Sequence, residues 1–445
     1  MVFEESLKRD KVRACHRMNK NQNGPHTTAV LNRDLPVLDW YLIPESFSLP
    51  LISQAIREFS IKKGSTILDP FCGAGTTVVA AKLTGLNGVG IEVNPFLCFV
   101  ARTKVRFDYD LPSLKEALET VISLSRDAFL GFDADLPLFS RGAEQARVEI
   151  LVEAPFGMPR MFKWISPRAA TKVMTLKECI LKIVSGSEFE DFFLLALASI
   201  LRPSSNMKLQ PHAFGSRVEK TDAPVLDLYE AKIRKMYRDL ETVNRGKEQW
   251  GEVNIHEGDC REAKIEDTLL PAALAVTSPP YLNNLDYTMQ TRLELFFLEY
   301  VRNMDDLRAL RKKMVICDAK AIYRDIEDHK LANEFKSIRT IAEQLHDKLS
   351  DRGWGWDYSF MTLSYFGGIY RMLSTMKKLV RRGARYLIVT GDSAHVGIYV
   401  PVTKITGELG VAAGWQLEGI KVQRTRRSSS HDQVLDESIV ILKKK

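Results

Sequence analysis

Short apolar runs and amphipathic runs alternate at both ends of this chain, and the alternation breaks in the middle. The apolar runs are Thr66–Asp69, Val89–Val93, Val253–Asp259, Ala272–Thr277, Ala384–Thr390, Trp415–Gln423 and Ser438–Leu442. Their length and bounding turn residues predict strands. Leu51, Ile52, Ala55, Ile56 and Phe59 recur at helical spacing before Gly64, and further helices are expected after Val78, from Pro95, over Thr291–Tyr300, from about Tyr370 to Val380 and over Val402–Leu409. Strands alternating with helices predict an open α/β sheet. Between positions 110 and 250 the alternation gives way to long helical patterns such as Phe192–Leu201 and Leu228–Val243, which predict a mainly helical insertion. A second stretch, 301–370, is charged and reads as irregular. The expected division is a basic arm (1–35), α/β portions at 36–109, 251–300 and 371–445, the helical insertion (110–250) and an irregular insertion near a cleft (301–370).

Two of the strand ends carry unusual residues. The first strand runs into Asp69-Pro70-Phe71-Cys72-Gly73-Ala74-Gly75-Thr76-Thr77 and then a helix. Gly73 and Gly75 permit a tight turn and let a ligand approach where a Cβ would intrude. No Gly-Lys-Ser/Thr follows, which disfavours a phosphate-binding P-loop. The fourth strand ends in Thr277-Ser278-Pro279-Pro280-Tyr281, a hydroxyl, two prolines and an aromatic ring. Ligands of open α/β sheets bind at the carboxyl ends of strands. The two loops therefore predict one site, with a cofactor on the first and a flat substrate on the second. Glu92 ends the second strand, where an acid accepts both hydrogen bonds of a ribose cis-diol.

Together these motifs resemble the DNA amino-methyltransferases, which use S-adenosylmethionine (SAM) to methylate the exocyclic amine of cytosine or adenine. The resemblance implies a seven-stranded, Rossmann-like SAM-methyltransferase sheet whose last two strands form an antiparallel edge. It implies that Asp69, Pro70, Phe71, Cys72, Gly73, Gly75, Thr76 and Thr77 cradle the cofactor, with Glu92, Val93 and Asn94 at the ribose. It places Asp259 at the adenine amine and Cys260 beside the ring. Ser278, Pro279, Pro280 and Tyr281 would hold the target amine and stack on the base. Trp40–Phe47 matches in position a segment that closes over the methionine end of SAM. Serine at 278 favours N4 of cytosine, since Asp-Pro-Pro-Tyr is typical of adenine enzymes. The implied partner is double-stranded DNA with its target base flipped, and a cognate restriction endonuclease is an open possibility. RNA-base and protein-glutamine methylation, or non-catalytic nucleic-acid binding on the same fold, are the competing readings.

Composition adds modest support. The 445 residues carry 63 Lys+Arg against 56 Asp+Glu, a net charge of +7, compatible with a polyanionic partner. Basic residues cluster at the start (Lys8, Arg9, Lys11, Arg13, Arg17, Lys20) and in the loop Arg424–His431, either solvated or laid along phosphates. Within 110–250, Phe162, Lys163, Trp164, Arg168 and Arg202 interleave rings and charges, which suits nucleic acid and equally a lid or packing unit. Six scattered cysteines show no metal or disulfide spacing, and the start lacks a secretory h-region, so a reduced cytoplasm is expected.

Overall fold

A computed structural model describes residues 25–134, 157–207, 220–245, 250–262, 264–320, 322–350, 357–428 and 432–445. The strands are β1 (Thr66–Asp69), β2 (Asn87–Glu92), β3 (Val253–Glu257), β4 (Ala272–Thr277), β5 (Val380–Gly391), a short hairpin of β6 (Ser393–His395) and β7 (Ile398–Val400), then β8 (Trp415–Arg427) and β9 (Val434–Lys444). Seven of them form one sheet in the order β3-β2-β1-β4-β5-β9-β8. The first five are parallel to their neighbours, while β9 lies antiparallel to both β5 and β8. The expected sheet and its antiparallel edge are thus present.

Helices of six or more residues are numbered α1 (Leu49–Glu58), α2 (Thr76–Leu83), α3 (Pro95–Val105), α4 (Leu111–Ala134), α5 (Pro167–Val184), α6 (Glu190–Leu201), α7 (Val225–Asn244), α8 (Arg292–Phe297), α9 (Met304–Lys312), α10 (Asp328–Asn333), α11 (Lys336–Ser350), α12 (Tyr358–Leu379) and α13 (Val402–Ala412). Strand alternation divides the core. Ile67, Leu274, Leu387 and Ile441 face one layer, containing α1 to α7, and Leu68, Ala275, Ile388 and Val440 face the other, containing α10 to α13. The central strands β1 and β4 are buried throughout, as expected where helices cover both faces.

The inserted helices α4 to α7 share a continuous core with the sheet instead of forming a satellite. Trp40 packs edge-on against Phe192 of α6 at 5.5 Å, and its indole N–H donates to Asp239 of α7 at 2.9 Å. Lys104 of α3 is fully buried and donates to the carbonyls of Leu38 and Tyr41. These bonds fasten the segment before β1 to both α3 and α7.

Three expectations change. The stretch 301–370, expected irregular, contains α9, α10, α11 and the start of α12. Its charges mask a helical stripe, visible in Ile338, Ile341, Ala342 and Leu345, which are buried. Arg424–Arg427, expected in a loop, continues β8, with Arg424 donating to Glu437 at 2.7 Å and Thr425 to Asp436 at 2.8 Å. Residues 25–35, assigned to a basic arm, coil against α1, with Ala29, Asn32 and Leu35 buried. The arm before Pro25, Trp354 and Trp356, and Ser429–His431 lie outside the described residues. Among the described residues no helix is long and apolar enough to cross a membrane.

The chain passes from β1 to β2 and β3 on one side, then returns to β4 and β5 on the other. The order therefore reverses between β1 and β4, the two strands that carry the unusual ends. Such a switch point opens a crevice at the carboxyl ends.

Candidate active site

The crevice is a cleft, partly open to solvent, at these strand ends. Asp69, Pro70, Phe71, Cys72, Gly73 and Thr76 line it from the first loop, Glu92, Val93 and Asn94 from the end of β2, Asp259 and Cys260 from the end of β3, and Ser278 and Pro280 from the end of β4. Gly75, Thr77, Pro279 and Tyr281 adjoin these lining residues in the chain.

A short hydrogen bond joins the two halves. Thr277 donates its hydroxyl to Asp69 Oδ1 at 2.7 Å, while Thr77 donates to Oδ2 at 2.6 Å and the Phe71 amide to Oδ1 at 3.1 Å. Burial raises the Asp69 carboxyl to about 6, and these donors oppose the shift. Asp69 is thus a knot between β1, β4 and α2, with both oxygens engaged.

The glycine turn follows from backbone geometry. Gly73 and Gly75 have φ of 52° and 86°, in the left-handed region that penalises a side chain. A Cβ on Gly75 would also lie 3.2 Å from Ala101 Cα, so α3 can pack closely only against a glycine. The Gly73 amide donates to Glu92 Oε2 at 2.8 Å, and the Asn94 amide to Oε1 at 2.9 Å. Each oxygen keeps capacity to accept again. Burial is the main cause that lifts Glu92 to about 7. Asn94 caps α3 through the Phe96 amide and donates to Thr291 at 3.0 Å.

Asp259 faces the cleft, but its carboxylate is clasped by Arg261, whose Nε lies 2.9 Å and Nη2 2.7 Å from Oδ2. Arg261 continues to Asp328 of α10 at 2.6 Å, and Arg371 of α12 pairs with the other oxygen of Asp328 at 2.6 Å. The end of β3 is therefore fixed by a mostly buried charge network. Cys260 is buried, which pushes its thiol well above the usual range.

On the substrate side Tyr287 lines the cleft and accepts the Tyr281 amide at 2.9 Å. The Tyr281 ring packs beside Gly391 at the end of β5. A smaller side recess adjoins the cleft at Pro280 and Tyr287 and includes Asp286 and Arg311. Arg311 pairs with Asp286 and donates to Thr288 at 3.0 Å. Lys313 brings an exposed positive charge to the cleft. Arg202, one of the interleaved bases of the insertion, faces inward instead: it is 8% exposed and donates to the Gln290 carbonyl.

Sequence reading missed Glu45, Ser46, Gln290, Thr291 and Tyr287 as individual wall residues. Only the position of Trp40–Phe47 ahead of the glycine turn pointed to a covering segment. Ile43, Glu45, Ser46 and Phe47 do form that wall, held by Asn32, which donates to the Phe47 carbonyl and accepts from the Leu49 amide.

The residues fit SAM. Glycines leave space where a side chain would stand, an ionisable carboxyl with spare acceptor capacity lines the wall, and a buried carboxylate oxygen of Glu45 lacks a partner.

Comparison with known proteins agrees. A family described as "DNA methylase" matches residues 5–102. The Type II methyltransferase M.BsoBI of Geobacillus stearothermophilus is 23% identical over 93% of this chain and 85% of its own. The Type II methyltransferase M.AvaI of Nostoc sp. is 24% identical over 91% and 84%. The Type II methyltransferase M.MjaII of Methanocaldococcus jannaschii is 37% identical over 71 residues, 16% of this chain and 13% of its own.

Proposed function

We propose that this chain, which belongs to the DNA methylase family of SAM-dependent amino-methyltransferases, methylates the exocyclic amine of a base in DNA, and that the base is cytosine, modified at N4. The observation that carries this reading is the Thr277–Asp69 hydrogen bond, which holds the glycine turn and the Ser-Pro-Pro loop on one cleft.

SAM supplies a methyl group on a positively charged sulfur, transferable by direct displacement. The chain's task is positioning. An aromatic amine is a weak nucleophile because its lone pair is spread into the ring. In this reading the Ser278 hydroxyl and the Pro279 carbonyl accept the amine's two hydrogens, which turns the nitrogen lone pair out of the ring plane and toward the methyl group. Two successive prolines fix the direction of that carbonyl. Tyr281, whose ring packs beside Gly391, would back the loop and offer the base a stacking face. Tyr287 and Pro280, shared by the cleft and the side recess, would flank the base.

A base within a duplex reaches such a site only after rotation out of the stack, at a cost of a few kcal/mol. Lys313, from the stretch between α8 and α10, would offset part of that cost through phosphate contacts. The relatives' names, Type II methyltransferase, support a place in a Type II modification system; a cognate endonuclease as partner and the cytoplasm as compartment would go with that reading.

The test is to incubate DNA with isotope-labelled SAM, digest it to nucleosides and weigh the modified one. N4-methylcytosine is expected. N6-methyladenine would move the specificity to adenine, and label confined to RNA or protein substrates would overturn the DNA reading.

A further inference from the structure

Residues 313–319 follow α9 and form neither helix nor strand. They run as a strap along the cleft: Lys313, Met314 and Val315 line its main part, and Ile316, Cys317 and Asp318 line the side recess beside Pro280 and Tyr287. The far end of the strap is fastened to the substrate loop. The Ala319 amide donates to Asn284 Oδ1 at 2.8 Å, and the Cys317 thiol donates to the Leu285 carbonyl at 3.3 Å. The near end is fastened to the cofactor side by one guanidinium. Arg261 Nη2 donates to the Lys313 carbonyl at 3.0 Å and to Asp259 Oδ2 at 2.7 Å.

That guanidinium has little freedom. Its side chain is 3% exposed. Nε and Nη2 sit on Asp259, Nη1 sits on Asp328 at 2.6 Å, and the Thr375 hydroxyl donates to the Arg261 carbonyl at 2.9 Å. The room for it comes from a glycine pair in α12. A Cβ on Gly367 would stand 1.8 Å from the Asp328 carbonyl oxygen, and one on Gly368 would stand 3.3 Å from Asp328 Oδ2 and 3.6 Å from Arg261 Cδ. A guanidinium is planar, so its seat on one carboxylate sets where its remaining N–H bonds point. A shift of Asp259 therefore swings the bond to Lys313. Asp259 receives the Arg261 amide, Nε and Nη2, three donors on about four lone-pair sites. Acceptor capacity is left for a ligand in the cleft that Asp259 lines.

We infer that Arg261 is a positioning residue, which holds the strap, and through it the substrate loop, in register with the cofactor side, so that cofactor and DNA each raise the other's affinity. The inference rests on the SAM-methyltransferase reading of the cleft, in which Asp259 takes the adenine amine. A cofactor that settles Asp259 settles Arg261, the Lys313 carbonyl and, at the far end of the strap, Asn284. DNA engaged on the loop stabilises the same arrangement from the other side, and the two effects are equal by linkage. The two turns then communicate by a second route, besides the Thr277–Asp69 bond.

Equilibrium dialysis of labelled S-adenosylhomocysteine against the full chain tests this, with and without an excess of plasmid DNA that the chain methylates. For the unmodified chain, DNA is expected to tighten binding about fivefold or more, the lower end of usual coupling. Arg261→Lys keeps the charge and loses the fork. Asn284→Gly keeps the left-handed backbone at φ of 60° and releases Ala319. Both are expected to bring the factor below about twofold. Asn284 does not line the cleft, so Asn284→Gly should keep its DNA-free affinity within about twofold, and it decides the matter if Arg261→Lys does not fold. An arginine with a merely structural role would, when replaced, lower affinity equally with and without DNA and leave the factor intact. That outcome, a full factor in either folded variant, or a wild-type factor of about one overturns the inference. A chain that binds S-adenosylhomocysteine and methylates no DNA would instead defeat the substrate reading, and one that binds no adenosine ligand would defeat the SAM reading itself.

Discussion

The glycine turn and the proline turn occupy neighbouring strand ends, yet they are held by different means. The glycine turn is secured mainly by its own neighbourhood. Asp69, Phe71, Gly73, Thr77, Glu92 and Asn94 bond one another within a short span of chain. The proline turn is secured from a distance. Its Tyr281 amide goes to Tyr287, Asn284 meets the Ala319 amide at 2.8 Å and the Tyr358 phenol at 3.3 Å, and the Leu282 carbonyl accepts from Ser393 and from His395. A cofactor common to many enzymes suits a cradle that the local sequence builds. A substrate loop bonded to several distant elements can be re-aimed by changes in any of them.

The largest effect should come from Gly73→Val. A β-branched residue at φ of 52° is strained, and its side chain would stand in the cradle. Loss of measurable SAM binding by calorimetry is expected. Normal affinity would show that the turn does not touch the cofactor. Ser278→Ala tests the other half. Turnover should fall on the order of a hundredfold, the scale of removing one preorganised hydrogen-bonding group, with SAM affinity within twofold. Equal losses in turnover and affinity would erase the division of labour between the turns.

The smallest effect is a pH dependence that separates affinity from stability. The Glu92 carboxyl is raised from 4.5 to about 7 by burial. If its carboxylate accepts from the ribose, SAM affinity should weaken as pH falls below about 7, by up to about tenfold per unit. Its contribution to folding has the opposite sign. A raised carboxyl binds its proton more tightly in the folded chain, so that contribution is full below 4.5 and is lost as pH rises through about 7. Glu92→Gln should flatten both profiles, read by calorimetry and by denaturant titration. A wild-type affinity that stays level from pH 8 to 6 would remove Glu92 from the ribose.

Much of the site was legible because its chemistry is local. Glycines at positive φ, an acid two residues before Asn94 and a pair of prolines after a buried strand each declare a backbone geometry without reference to distant residues. Arg202 shows the limit. Among interleaved rings and charges it reads equally as a nucleic-acid contact or as part of a packing unit, and the structure buries it against Gln290, because α6 packs on α3 and the segment before β1. Asp259 shows another: its position at a strand end was readable, but its engagement by Arg261 depends on α10 and α12, which lie much later in the chain.

The sequence by itself determined the strands, the order of the two motifs and the kind of chemistry they suit, since alternation of apolar and polar residues and the stereochemistry of glycine and proline act over a few bonds. Only the tertiary structure decided which acids are free and which are already bonded, which charges face inward, and that Glu45 stands on the wall of the cleft. Those outcomes depend on contacts between residues up to hundreds of positions apart, and burial and pairing are properties of the folded arrangement.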